Sequence, residues 1–188
     1  MWSMLENYPG TMFKKNMPKT YLMINSYLTK NFYINTIIIF LIFILDRVSK
    51  IYIMNLDRAN YSEELYTSEF LNISLIWNEG IAFGLLSFNQ DNLYNFLSLL
   101  ISIIILVIFF MIIKNNNIKK YPLLMIFGGA IGNLYDRIIY KAVPDFIDFH
   151  IEEFHWFVFN VADIFISLGV FFMILVELID NNKSNETV

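Results

Sequence analysis

The sequence predicts a mainly α-helical membrane protein with four transmembrane helices, a small extracytoplasmic β platform and outer loops. Of its 188 residues, 57% are hydrophobic, and the mean hydropathy is +0.53. Four apolar stretches each approach the roughly 20 residues that cross a bilayer as a helix. We expect residues 34–180 to form one transmembrane domain, preceded by a cytoplasmic segment (1–33) and followed by a disordered cytoplasmic tail (181–188).

The four spans are predicted at residues 35–54, 93–113, 121–140 and 157–179. Lysines occur before the first span and between the second and third, whereas the other two connections are acidic. This bias of positive charge places both termini in the cytoplasm and the acidic connections outside. No small-residue cleavage pattern follows the first apolar run, so we expect it to be retained as the first helix of a multi-pass membrane protein.

The outer connection at residues 55–92 is too long for a simple turn. Leu71, Ile73 and Leu75 alternate with polar residues, which predicts a short strand. Gly80 and Gly84 follow it and allow a tight backbone course. These features predict the β platform on the outer membrane surface.

Composition excludes several classes of function. The net charge of −4 gives no indication of nucleic-acid binding, and the absence of cysteine excludes thiolate chemistry and disulfides. The two histidines, His150 and His155, lie near Asp148, Glu152 and Glu153 without the spacing of a helical zinc motif. We therefore expect a solvated loop there, no metal, no cofactor and no effect of chelators on activity.

Two aspartates, Asp136 and Asp163, lie within the third and fourth predicted spans. A carboxylate in a bilayer is costly and usually functional. Given the predicted topology and a rise of about 1.5 Å per residue, both lie roughly 6–9 Å below the outer boundary on antiparallel neighbouring helices. Two carboxyls sharing a site keep one proton between them, so they could activate a water molecule without a metal.

Several polar residues accompany this pair. Asn133 and Asn160 each precede one of the aspartates by three residues, on the same helical face. Asp46 and Lys50 have the i, i+4 order of a helical ion pair, which either neutralises itself or orders the platform. Arg137 points to another helical face and either extends towards headgroups or anchors a carboxylate. Gly128 and Gly132 form a GxxxG spacing that favours close helix packing.

Other interpretations of the same residues remain open. Each aspartate could bond separately to Arg137 or to backbone amides. A small proton- or ion-coupled transporter also uses buried acids, although the sequence contains no internal repeat. A structural membrane subunit could use the same acids to pair with other helices.

The assembled motifs resemble lipoprotein signal peptidase (signal peptidase II), the bacterial family of intramembrane aspartyl proteases. They occur in family order over about residues 46–169: DRVSK (46–50), NEGIAFG (78–84), GGAIGNLYDR (128–137), VPDFIDF (143–149) and FNVAD (159–163). Arg47 stands where the family usually has Gln, Ser49 is the less common choice at its position, and Ile81 replaces a small residue. We expect these departures to affect substrate preference and inhibitor fit rather than the catalytic acids.

The resemblance implies an endopeptidase of the bacterial inner membrane that cleaves diacylglyceryl-modified prolipoproteins just before the lipidated cysteine. It implies Asp136 and Asp163 as catalytic residues and a structural role for Asp145. Residues implied to shape and support the site are Asp46, Lys50, Asn78, Gly80, Asn133, Arg137 and Asn160. The expected partners are prolipoprotein substrates, membrane lipid and the inhibitor globomycin, with the protein acting as a monomer.

Overall fold

The computed structural model describes residues 19–59, 65–80, 90–115, 117–152 and 154–185. The helices are α1 (Lys19–Ala59), α2 (Gln90–Lys114), α3 (Lys120–Tyr140) and α4 (Val161–Asn185), and the strands are β1 (Tyr66–Thr67), β2 (Leu71–Asn78), β3 (Val143–Ile151) and β4 (Phe154–Phe159). This confirms a mainly α-helical chain with a small β platform. Within the described residues, two helical segments are long and apolar enough to cross a membrane, Tyr94–Lys114 and Val161–Asp180. Four spans therefore stay a prediction.

The helix bounds differ from the predicted spans at both ends of the chain. The chain divides into two compact units, residues 1–37 and 38–188, and α1 begins within the first unit at Lys19. The core, the sheet and the candidate site all belong to the second unit. Helix α4 begins at Val161, four residues later than predicted, because residues 154–159 form β4 instead. It continues to Asn185, into the segment predicted to be a disordered tail.

The hydrophobic core lies between α2 and α3. Ile105 and Ile112 of α2 pack with Leu123, Leu124 and Phe127 of α3, and partly buried residues of α1 and α4 surround them. In contrast, most large apolar side chains on the outer faces of the helices are exposed. That distribution is the one expected of helices whose outer faces contact lipid.

The four strands form one antiparallel sheet in the order β1-β2-β3-β4. The strand predicted at Leu71–Leu75 is confirmed as part of β2. The solvated loop predicted between the third and fourth spans is wrong, because residues 143–151 and 154–159 form the paired strands β3 and β4. Their phenylalanines, valines and isoleucines favour extended structure. Gly84, Ile81 and Glu153 lie outside the described residues.

The chain passes from α3 into the sheet through one residue in the left-handed backbone conformation. Lys141 caps the C-terminus of α3 with φ 60°, a conformation that ends helices by satisfying their last carbonyl groups. Strand β3 begins two residues later, at Val143. The first residues of β3 are therefore held close to the end of α3, and Val143, Pro144, Asp145 and Phe146 are all buried.

Candidate active site

Four charged side chains from α1 and α3 form a buried ionic cluster: Asp46, Arg47, Lys50 and Asp136. Lys50 Nζ lies 2.8 Å from Asp46 Oδ1 and 2.6 Å from Asp136 Oδ2. Arg47 donates to Asp46 and to both carboxylate oxygens of Asp136. Asp46, Lys50 and Asp136 are completely buried. Two acids and two bases balance in formal charge, which is the condition under which buried ions are tolerated.

Asp163 lies in the first turn of α4 rather than deep within a span. Asn160 occupies the N-cap position: its side-chain oxygen accepts from the Asp163 amide at 3.2 Å, and Asp163 Oδ2 accepts from the Asn160 amide at 3.1 Å. This reciprocal arrangement is a capping box. The Asn-x-x-Asp pattern at 160–163 is thus a helix start, whereas the same pattern at 133–136 lies inside α3.

Two further groups hold the beginning of α4. Asp46 Oδ1 accepts from the Ala162 amide at 3.1 Å, which places the ionic cluster against the N-terminus of the helix. Asn133 joins the cluster to Asp163: its oxygen accepts from Lys50 Nζ at 2.8 Å, and its Nδ2 donates to Asp163 Oδ1 at 2.8 Å. Asp136 and Asp163 are therefore connected through Lys50 and Asn133, and the described residues include no direct bond between them.

Asp145, at the start of β3, is the second acid beside Asp163. Asn160 Nδ2 donates to Asp145 Oδ1 at 2.6 Å, so one residue contacts both carboxyl groups. Asp145 is 3% exposed. Burial raises its pKa above the ordinary value, and the nearby charge of Asp163 raises it further, while the amides of Asn78 and Asn160 oppose this by stabilising the carboxylate.

Asn78 and Gly80 support Asp145 rather than Asp136. Asn78 Nδ2 donates to Asp145 Oδ2 at 2.8 Å, and Asn78 Oδ1 accepts from the Gly80 amide at 2.7 Å. Gly80 has φ +78°, which L side chains rarely adopt. The end of β2 is thereby fixed as a turn beside the second acid.

Close helix packing in the site depends on two glycines of α3. A Cβ on Gly132 would lie 2.5 Å from Asp46 Oδ2, and one on Gly129 would lie 2.5 Å from the Ala162 carbonyl oxygen. The predicted GxxxG face, Gly128 and Gly132, therefore contacts α1, and Gly129 makes the close approach to α4.

The predicted supporting residues thus divide between two groups. Asp46 and Lys50 join Asp136, whereas Asn78 and Asn160 join Asp145. Asn133 links the two groups, because it bonds both Lys50 and Asp163. Arg137 donates to the Asn133 carbonyl at 3.2 Å, and its buried Nε has no partner among the described residues. The guanidinium of Arg47 binds Asp46 and Asp136 directly, and its effect on substrate preference and inhibitor fit stays a prediction.

Sequence reasoning assigned Asp145 a structural role only. A signal was present, because an acid between Val143, Pro144 and Phe146 in an apolar strand needs buried partners. The sequence could not predict that Asp145 lies near Asp163, because this depends on the register of β3 and on where α4 begins. Asp145 and Asp163 both contact Asn160, and neither acid takes part in an ion pair among those of the described residues.

Comparisons with known proteins identify the family. Residues 38–179 match the family described as "Signal peptidase (SPase) II". The chain is 56% identical over 154 residues to a "Lipoprotein signal peptidase" of Pelagibacter ubique (strain HTCC1062), covering 82% of this chain and 93% of that protein. It is 36% identical over 152 residues to a protein of the same name from Anaplasma phagocytophilum (strain HZ), covering 81% and 96%.

Solved structures give the same result for the fold. One described as "Bacterial membrane enzyme structure by the in meso method at 2.3 A resolution" superposes with a TM-score of 0.63 at 28% identity, over 79% of this chain and 90% of that one. A second, at 1.9 Å resolution, has a TM-score of 0.61 at 28% identity, over 77% and 91%. Sequence and fold together establish that this chain belongs to the signal peptidase II family of membrane peptidases.

Proposed function

We propose that this chain removes the signal peptide from diacylglyceryl-modified prolipoproteins, cutting just before the lipidated cysteine, with a water molecule activated by Asp163 and Asp145. The observation that carries the proposal is the bridge made by Asn160, which contacts both carboxyl groups. The transporter alternative has no comparable support, because the chain belongs to a peptidase family.

Asp163 is the base in this mechanism and Asp145 the acid. Asp163 is half-buried at the positive N-terminal end of α4, which stabilises a carboxylate. Burial and the charge of Asp163 raise the pKa of Asp145, and the mechanism assigns the shared proton to Asp145. Asp163 takes a proton from water as the water oxygen attacks the scissile carbonyl carbon, and Asp145 donates its proton to the carbonyl oxygen.

Breakdown of the tetrahedral intermediate returns both acids to their starting protonation states. The hydroxyl proton that Asp145 gave returns to it, and Asp163 gives its proton to the leaving nitrogen as the C–N bond breaks. The products are the carboxylate end of the signal peptide and the free amine of the lipidated cysteine. The step needs neither a metal nor a covalent intermediate.

The position of the acids suits this substrate. Asp163 is the third residue of α4, so at about 1.5 Å per residue it lies roughly 4 Å inside the helix start. With both termini cytoplasmic, that start faces the extracytoplasmic side, where the acyl chains of the substrate can stay in lipid while the peptide bond reaches the acids. The sheet offers a surface against which an extended peptide can lie.

The proposal is tested with purified protein in detergent and a diacylglyceryl prolipoprotein as the substrate. A gel shift of the prolipoprotein measures its cleavage. Asp163→Asn and Asp145→Asn should each lower cleavage by about 10²–10⁴-fold while leaving the fold intact. Asp180→Asn, an exposed acid that pairs with Lys119, is the matched control and should cleave normally. Cleavage by Asp163→Asn at the normal rate would contradict the mechanism.

The sequence hypothesis that Asp136 is the partner of Asp163 stays a prediction, and the same assay separates the two candidates. We expect Asp136→Asn to lose stability but to keep cleaving in its folded fraction, because both oxygens of Asp136 are engaged by cations. A folded but inactive Asp136→Asn beside an active Asp145→Asn would favour Asp136. Globomycin should inhibit the wild-type enzyme by competing with the prolipoprotein.

A further inference from the structure

Three potential metal ligands meet on strands β3 and β4, and none of them belongs to the proposed acid pair Asp145–Asp163. Asp148 and His150 of β3 and His155 of β4 each place one ligand atom within 4.8 Å of the other two. His150 and His155 are directly paired across the strands, and their rings stack with centroids 5.1 Å apart. His155 Nδ1 also lies 2.7 Å from Asp148 Oδ2.

Two buried polar atoms in this group have no partner among the described residues. They are Asp148 Oδ1 and His150 Nδ1, and Asp148 as a whole is only 6% exposed. A buried acceptor left unsatisfied costs about 1–3 kcal/mol. In the tautomer that leaves His150 Nδ1 unprotonated, both atoms are acceptors, and one cation could satisfy them together.

We propose that Asp148, His150 and His155 bind a divalent transition-metal ion of the Zn²⁺ class. Two imidazoles and a carboxylate suit Zn²⁺ and its neighbours, whereas Mg²⁺ and Ca²⁺ prefer oxygen-only sites. Tetrahedral ligands at about 2.1 Å from an ion lie roughly 3.4 Å apart, so small side-chain rotations close the group around it. A water molecule would complete the coordination.

The consequence is structural. The ion would cross-link β3 to β4, and β3 also carries Asp145, three residues before Asp148. The expectation of no metal rested on a loop with unsuitable spacing, whereas the three residues lie on paired strands. The site does not depend on the proposed cleavage mechanism, and cleavage does not pass through the ion.

Zinc and cobalt titrations of the full-length, tag-free protein in detergent test this proposal. The chain contains two histidines and no cysteine, so background binding of these metals is low. After chelator treatment and buffer exchange, ZnCl2 should bind with one equivalent per chain and raise the Tm. CoCl2 should give the visible absorption of a four-coordinate site, and Zn²⁺ should displace it.

Single substitutions identify the ligands. His150→Asn and His155→Asn should each weaken Zn²⁺ binding at least about 10-fold, and they should abolish the rise in Tm. Glu152→Gln is the matched control, because Glu152 is an exposed acid of the same hairpin outside the group. Peptidase activity of each variant reports whether it has folded.

The wild-type titration decides the proposal even if a variant fails to fold. Absence of one-equivalent binding, or a Co²⁺ spectrum typical of the hydrated six-coordinate ion, would overturn it. Equal loss of binding in Glu152→Gln would also overturn it, since it would indicate adventitious adsorption to the acidic hairpin.

Discussion

The ionic cluster around Asp136 and the acid pair Asp145–Asp163 lie beside each other, yet they hold their carboxyl groups in opposite ways. Asp136 is fully buried, and its two oxygens are bound by Arg47 and Lys50. Asp145 and Asp163 are held by the amides of Asn78, Asn133 and Asn160. Cations fix a carboxylate in its charged form, whereas amides position it and leave proton exchange possible. The comparison teaches that burial alone does not distinguish an acid whose charge is fixed by cations from one that is held by amides.

The strongest test of this contrast compares activity at the two sites. Asp145→Asn should lose about 10²–10⁴-fold in cleavage because the amide cannot donate a carboxylic proton. Asp136→Asn should keep cleavage per folded molecule, since its role is to balance charge. The measurement is the initial rate of prolipoprotein cleavage divided by the folded fraction from gel filtration. The reverse order of activities would refute the contrast.

The free energies of unfolding should rank the Asp136 and Asp145 variants in the opposite order. Removing Asp136 leaves Arg47 and Lys50 partly uncompensated in a buried site, which costs about 3–5 kcal/mol. Asp145→Asn removes no cation partner and should be destabilised much less. Unfolding of both variants in detergent, followed by circular dichroism, compares the two free energies of unfolding. Equal loss in both would mean that Asp136 is not held mainly by its ion pairs.

A substitution at the helix contact should have a smaller effect. Gly132→Ala places a methyl group against the Asp46 carboxylate and should destabilise the protein by about 1–3 kcal/mol. Ala130→Gly, on the same helix, is a control that creates no clash. Gly132→Ala should lower the Tm and leave the cleavage mechanism unchanged. An unchanged Tm would show that α1 can move away from the added methyl group.

The pH profile tests the proton held by Asp145. The Asn78 amide lowers the pKa of Asp145, so Asn78→Ala should raise that pKa further above its ordinary value. In the proposed mechanism the protonated form of Asp145 is the active one, so activity should be lost as pH rises through this pKa. The alkaline limb of kcat/KM should therefore move to higher pH in Asn78→Ala and stay in place in Ser74→Ala. A shift to lower pH would indicate that Asp145 acts as the base.

The smallest effect is expected at the surface. Lys119 is partly exposed and pairs with the exposed acids Asp180 and Glu177, which raise its pKa. Exposed ion pairs contribute little because solvent screens them. Lys119→Ala should leave both Tm and cleavage unchanged, and a clear loss of either would show that this pair anchors α3 to α4.

The sequence by itself determined the local elements of the fold and indicated most of the polar residues that meet in the candidate site. Apolar stretches, the alternating residues of β2, the Asp163 motif and the supporting asparagines are local patterns, because each depends on spacing along one element. Family membership followed from the same motifs. Spacing could also place Asp136 and Asp163 on neighbouring helices at similar depth.

Only the tertiary structure decided which polar groups meet. The sequence could not indicate that residues 154–159 pair with β3, that α4 starts at Val161, or that Asn160 contacts Asp145 and Asp163 together. These contacts depend on strand register and on the approach of α3 through Gly129 and Gly132. Such long-range packing assigns Asp136 to Arg47 and Lys50, because a buried charge is stable only where opposite charges from other parts of the chain converge on it.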